Sequence, residues 1–95
     1  MTKNNSNDKV VVKKKYYESG ALLAEIPSVN GKIHGIEKWY YASGALEWET
    51  PFVNGKEHGI VKCYEAGKSN IDCLTLYEKG HEVTSVKFSI KGDRS

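Results

Sequence analysis

The side chains of this chain that could do chemistry are three histidines, two cysteines, a few phased carboxylates and a run of lysines. His34 and His58 each precede a glycine and sit in matching surroundings. Such a pair can bind an anion when protonated or share a metal ion. If the two histidines lie two strands apart in a sheet, they are separated by roughly 10 Å, twice the ~4.8 Å strand spacing, and one ion would need a third group. His81 falls out of phase with them, so no three-histidine set forms and no metal site is expected. The repetition favours a structural role in which the imidazole packs on a neighbouring tyrosine and the glycine permits a bend. Cys63 and Cys73 lack a C-x-x-C spacing and cannot close a zinc site alone. A hairpin centred near Lys68 would set them opposite each other, and a cross-strand pair within reach can oxidise. Reduced, packed thiols are the expectation. Glu25 and Glu49 recur in phase, with Glu47 beside the second. Paired carboxylates can do acid–base work, but their spacing points to cross-strand pairing with Lys38 and Lys62. Lys9, Lys13, Lys14 and Lys15 precede Tyr16-Tyr17, a mix that suits a nucleic acid or an anionic lipid surface. Lysines on an edge strand also block edge-to-edge pairing. No glycine-rich phosphate loop opens a helix and no G-x-S-x-G occurs, so neither an enzyme nor a cofactor is expected.

The elements that must position these residues come from an internal repeat. Residues 16–39 read YYESGALLAEIPSVNGKIHGIEKW and residues 40–63 read YYASGALEWETPFVNGKEHGIVKC. Gly20, Gly31 and Gly35 return as Gly44, Gly55 and Gly59, an offset of 24. Self-similarity at such a period marks a repeat architecture. The match then decays: Tyr64-Glu65-Ala66-Gly67 resembles Tyr41-Ala42-Ser43-Gly44, and Tyr77-Glu78-Lys79-Gly80 resembles Phe52-Val53-Asn54-Gly55, but the His-Gly pair is missing. Residues 64–91 read as a degenerate repeat that caps the array. The domain is expected over 9–91, with flexible segments at 1–8 and 92–95.

Each repeat carries two glycine turns. Asn30-Gly31 and Asn54-Gly55 predict two-residue hairpins, because both positions tolerate positive φ. Ser19-Gly20 and Ser43-Gly44 fit a type I turn with a left-handed glycine, or a bulge. No segment has a helical period with caps. The prediction is an all-β, twisted antiparallel meander of about seven strands, near 9–17, 21–26, 33–41, 45–50, 57–64, 71–77 and 82–90. Alternation groups Leu22, Ala24 and Ile26 on one face, and likewise Leu46, Trp48 and Thr50. Pro27 and Pro51 cannot donate to a ladder and are expected at strand ends or bulges.

The run Tyr-x-x-x-Gly-x-Leu-x-x-Glu, then Asn-Gly-Lys-x-His-Gly, then Tyr-Tyr resembles the MORN repeat variant of bacterial proteins. It is also similar to proteins of the YwqK-type antitoxin family. The resemblance covers residues 16–64 and, more weakly, 65–80. It implies an elongated sheet of stacked hairpins used for binding rather than chemistry. The sequence departs from the pattern at Ser28, where an aromatic residue is usual, and in the third repeat.

Composition bounds the rest. Charged residues are 27% and hydrophobic residues 39%, and fourteen Lys and Arg against twelve Asp and Glu give +2, too balanced to imply nucleic acid. Uncharged apolar stretches such as Val10-Val11-Val12 are too short for a membrane span. Residues 1–8 lack an apolar core of the secretory type, so a cytoplasmic setting is expected. Tyr16, Tyr17, Trp39, Tyr40, Tyr41, Trp48, Phe52, Tyr64 and Tyr77 must supply most of the core, so either the sheet curls round them or a second copy covers a face. The expected function is a non-enzymatic protein-binding module that docks an aromatic and basic sheet face on another protein. Tyr17, Trp39, Tyr40, Tyr41, His34 and His58 are its candidate contacts, and a small antitoxin-like inhibitor of bacterial or phage origin is its concrete form. The alternatives are a polyanion binder using Lys9, Lys13, Lys14 and Lys15, and a self-associating structural unit such as a homodimer.

Overall fold

The computed structural model describes residues 9–66 and 70–88. The expected flexible segments 1–8 and 92–95, the hairpin centre at Lys68 and the last strand's end beyond residue 88 lie outside them. The described residues form nine strands: β1 (Val10–Tyr16), β2 (Leu22–Val29), β3 (Lys32–Ile33), β4 (Gly35–Tyr40), β5 (Leu46–Val53), β6 (Lys56–Glu57), β7 (Gly59–Tyr64), β8 (Ile71–Glu78) and β9 (His81–Lys87). All pair antiparallel in one sheet of order β1-β2-β4-β5-β7-β8-β9, with β3 on β2 and β6 on β5. The predicted all-β meander is therefore the fold. The two extra strands arise because the expected strands 33–41 and 57–64 each break at a histidine.

The turns follow the sequence closely. Asn30-Gly31 has φ values of 53° and 83°, and Asn54-Gly55 has 49° and 87°. Two successive positive φ angles make the two-residue turn whose twist matches that of the flanking strands. Lys79-Gly80 adopts the same shape, at 51° and 86°, without an asparagine. At the opposite end of the hairpins, the Gly20 N–H donates to the Tyr17 carbonyl at 2.9 Å, and the Gly44 N–H donates to the Tyr41 carbonyl at 2.9 Å.

Pro27 and Pro51 are placed differently from the expectation. Each lies inside a long strand, opposite Val12 and Ile36 respectively. The irregularity is in the partner strand. The His34 N–H donates to the Pro27 carbonyl at 3.0 Å, and the His58 N–H donates to the Pro51 carbonyl at 3.0 Å. A residue's N–H and C=O point to the same side of a strand, so the donor each proline lacks would face that break. The chain then bends through Gly35 and Gly59, at φ +117° and +122°. A proline inside the sheet is tolerated because the neighbouring strand turns aside where the donor is missing.

Bulges displace the predicted faces. Lys15 pairs with Ala24 but Tyr16 pairs with Leu22, and Trp39 pairs with Trp48 but Tyr40 pairs with Leu46. Leu23 and Glu47 are the extra residues. Leu22 and Leu46 consequently leave the face of Ala24 and Trp48 and join that of Tyr16 and Tyr40, because paired residues share a face.

The sheet is one layer, with principal extents of 58 × 36 × 18 Å. It does not curl closed: β1 and β9 remain edges, and both are exposed along their length. Among the described residues only Ala24 and Val61 are buried.

Candidate functional site

Register builds the two faces. One central row runs Lys15, Ala24, Trp39, Trp48, Cys63, Cys73 and Lys87 across seven strands. The opposite row runs Lys14, Glu25, Lys38, Glu49 and Lys62, then Leu74 and Val86. The second row places each phased glutamate between two lysines, as the sequence suggested. Cross-strand pairs of this kind contribute about 0.2–1 kcal/mol.

The glutamates' closest partners are tyrosines. The Tyr40 hydroxyl donates to Glu25 Oε1 at 2.7 Å, and the Tyr64 hydroxyl donates to Glu49 Oε1 at 2.6 Å. The Tyr17 hydroxyl donates to the Tyr40 carbonyl at 2.6 Å, and the Tyr41 hydroxyl donates to the Tyr64 carbonyl at 2.7 Å. The contacts of one repeat thus return in the next. Tyr17, Tyr40 and Tyr41, which the sequence offered as contacts for a partner, spend their hydroxyls inside the chain.

These bonds perturb the phenols. Burial first, and then the Glu25 hydrogen bond and the charges of Glu25 and Glu49, push Tyr40 up to about 12. The Glu49 hydrogen bond, helped by burial and the Glu49 charge, does the same to Tyr64. Tyr41 is raised by burial and by the charges of Glu47, Asp72 and Glu65. A folded-state value above the ordinary 10.0 means that the folded chain holds the proton more tightly. The stability from these bonds is complete below pH 10 and is lost as the pH rises towards 12. Thermal melts followed by circular dichroism should show a falling melting temperature across that window. The Tyr40→Phe/Tyr64→Phe variant should start lower at pH 8, by about 1–2 kcal/mol per bond, and change less above pH 10. An equally steep fall in the variant would show that other groups cause it.

The histidines serve turns. His34 Nδ1 accepts the Asn54 N–H at 3.2 Å, and His58 Nδ1 accepts the Lys79 N–H at 3.3 Å. Each imidazole thus holds the hairpin turn of the following repeat, where the sequence suggested packing on tyrosine. The lysine run does not form one patch. Lys13 and Lys15 pair with Ile26 and Ala24, whereas Lys14 pairs with Glu25 on the opposite face, and Lys9 precedes β1. Lys15 Nζ lies 5.7 Å from the centre of the Trp39 ring, within cation–π range. Cys63 and Cys73 are opposite, as a hairpin requires, and are joined in a disulfide with Cα atoms 5.1 Å apart. This corrects the expectation of free thiols.

Trp39 and Trp48 pair directly across β4 and β5. With Glu37, Glu47 and Thr50 they line a shallow depression of about 380 Å³. Trp48 keeps 41% of its surface exposed. Glu37 and the place of Glu47 were missed from the sequence. The bulge that brings Glu47 beside Trp48 has no signature in strict alternation.

The geometry of the described residues defines a β-hairpin repeat protein with an aromatic face on which Trp48 is exposed. Within it, residues 33–54, from β3 through the Tyr40-Tyr41 turn to the Asn54 turn, match the family model of the MORN repeat variant. No curated protein and no solved structure matches the chain. No described helix is long and apolar enough to cross a membrane.

Proposed function

We propose that this chain is a non-enzymatic protein-binding module that docks a partner on the Trp39–Trp48 face. The observation that carries the reading is the paired indoles, one of them 41% exposed, on a sheet face over which the described residues build no second layer. Tryptophan is enriched among the residues that dominate binding energy, and large aromatics on an open face are what interfaces use. The match to the MORN repeat variant over 33–54 supports a binding role. Tyr17, Tyr40, Tyr41, His34 and His58 serve this face by holding the repeats in register. The finer form proposed is an antitoxin-like inhibitor that occupies a surface of another protein.

Affinity capture from the source cells tests the reading, with wild-type protein and Trp48→Ala as parallel baits. One stoichiometric partner is expected on the wild type, and retention should fall about 30-fold or more on Trp48→Ala, the effect of losing a hot-spot side chain of 2 kcal/mol. Equal retention by both baits, or no stoichiometric protein on either, overturns it. The polyanion alternative predicts heparin retention that disappears when Lys9, Lys13, Lys14 and Lys15 are neutralised. Their division between two faces weighs against it.

A further inference from the structure

Another cavity lies away from the aromatic face, along the row of two-residue turns. It measures about 520 Å³ and is lined by Lys32, Val53, Asn54, Lys56, His58 and Lys79. No carboxylate among the described residues lines it. Three lysines, an asparagine and a histidine supply its polar residues, and the lysine stems and Val53 add apolar surface. Because His58 Nδ1 accepts the Lys79 N–H, the neutral ring carries its proton on Nε2 and is a donor there. The described side chains that line the cavity are therefore rich in donors, and the charged ones among them are all cationic.

The framework behind it is fixed. The Gly55 N–H donates to the Ile33 carbonyl at 2.8 Å, and the Gly80 N–H donates to the Glu57 carbonyl at 2.9 Å, which ties each turn to the one before. The Lys32 stem passes within 3.9 Å of where a Gly55 side chain would begin, and the Lys56 stem within 3.8 Å of the same point at Gly80. The lysines therefore lie over glycines and are not held off by side chains.

The turn beside this cavity differs from the two turns before it. Lys79 occupies the first turn position, at φ +51°, where the two preceding turns have Asn30 and Asn54. Asparagine is several-fold enriched in that backbone region and lysine is not. The third turn forgoes the favoured residue and places a third lysine at the cavity.

We infer that this cavity is a binding site for a small ligand bearing several phosphate charges. Its volume is in the range of small-molecule sites, about 300–1,000 Å³, and lysine binds phosphate as a compact point charge. The site is separate from the Trp39–Trp48 face and does not depend on the protein-binding reading.

Titration of the full chain with sodium tripolyphosphate, followed by ¹H–¹⁵N NMR at constant ionic strength, tests it. Saturable shifts are expected at Lys32, Asn54, Lys56 and Lys79, while the two indole N–H signals stay in place. Lys79→Asn should weaken binding roughly tenfold, the loss of one charge-assisted contact. That variant restores the residue its backbone favours, so it should melt no lower than the wild type, and weaker binding will not reflect misfolding. Lys13→Gln should bind as the wild type does. Equal affinity in Lys79→Asn, shifts that follow ionic strength alone, or no shifts at all overturn the inference. Co-sedimentation with phosphatidylcholine vesicles carrying phosphatidic acid separates the sources. Sedimentation abolished by Lys79→Asn marks a lipid headgroup, and tripolyphosphate binding without sedimentation marks a soluble anion.

Discussion

Replacing Gly59 with alanine should lower the melting temperature by on the order of 10 °C or more. Gly59 sits at φ +122°, and a Cβ there would stand 3.0 Å from Pro51 Cγ and 3.4 Å from its Cβ. The backbone strain alone costs about 1–3 kcal/mol, and the overlap adds a similar amount because the proline ring cannot swing away. In a domain of this size each kcal/mol moves the midpoint by about 4–8 °C. Gly35→Ala should behave alike, since its Cβ would meet Pro27 Cγ at 3.2 Å. Gly20→Ala is the control: φ is +99°, but nothing lies within 4 Å of the added atom, so it reports backbone strain without the clash. Adding Pro51→Ala to Gly59→Ala should recover the steric part and leave the strain. If Gly59→Ala melts like Gly20→Ala, the contact with the proline contributes nothing.

The second large effect concerns the Cys63–Cys73 bridge between β7 and β8. Its sequence separation is 10, for which the chain-entropy account assigns about 2–3 kcal/mol. Adding a reducing agent should lower the melting temperature by roughly 10–20 °C, and Cys63→Ser/Cys73→Ser should melt at the reduced value whether or not reductant is present. A wild-type midpoint indifferent to reductant would show that the bridge adds no stability. The effect is expected to be large because the third repeat has lost other ties. It lacks the histidine, the bending glycine and the inserted proline of its predecessors, and β9 is exposed throughout.

These residues also show what a reader of the sequence can and cannot see. Asn-Gly and Ser-Gly turns are legible because glycine and asparagine are selected by backbone angle, a local property. The phased Glu25 and Glu49 were legible as cross-strand partners of lysine, since a period of one repeat fixes register. Their tyrosine partners were not, because Tyr40 and Tyr64 reach the carboxylates diagonally across the sheet. Pro27 and Pro51 were misplaced because their compatibility with a strand depends on what the neighbouring strand does, at Gly35 and Gly59. The His-Gly pair and the proline form one device, which is why the third repeat lacks them together. The exit of Leu22 and Leu46 from the expected face follows from single inserted residues, which an alternating pattern hides. Lys79 was visible in the alignment of Tyr77-Glu78-Lys79-Gly80 with Phe52-Val53-Asn54-Gly55, but its meaning needed the turn angle.

The hydroxyl bonds from Tyr17 to Tyr40 and from Tyr41 to Tyr64 join each repeat only to the next. With almost no shared interior, the free energy of the sheet is close to a sum of nearest-neighbour couplings, as in a one-dimensional chain of interacting units. Such a chain frays from its ends. Amide exchange should be slowest at β4 and β5, at the middle of the array, and fastest at β1 and β9.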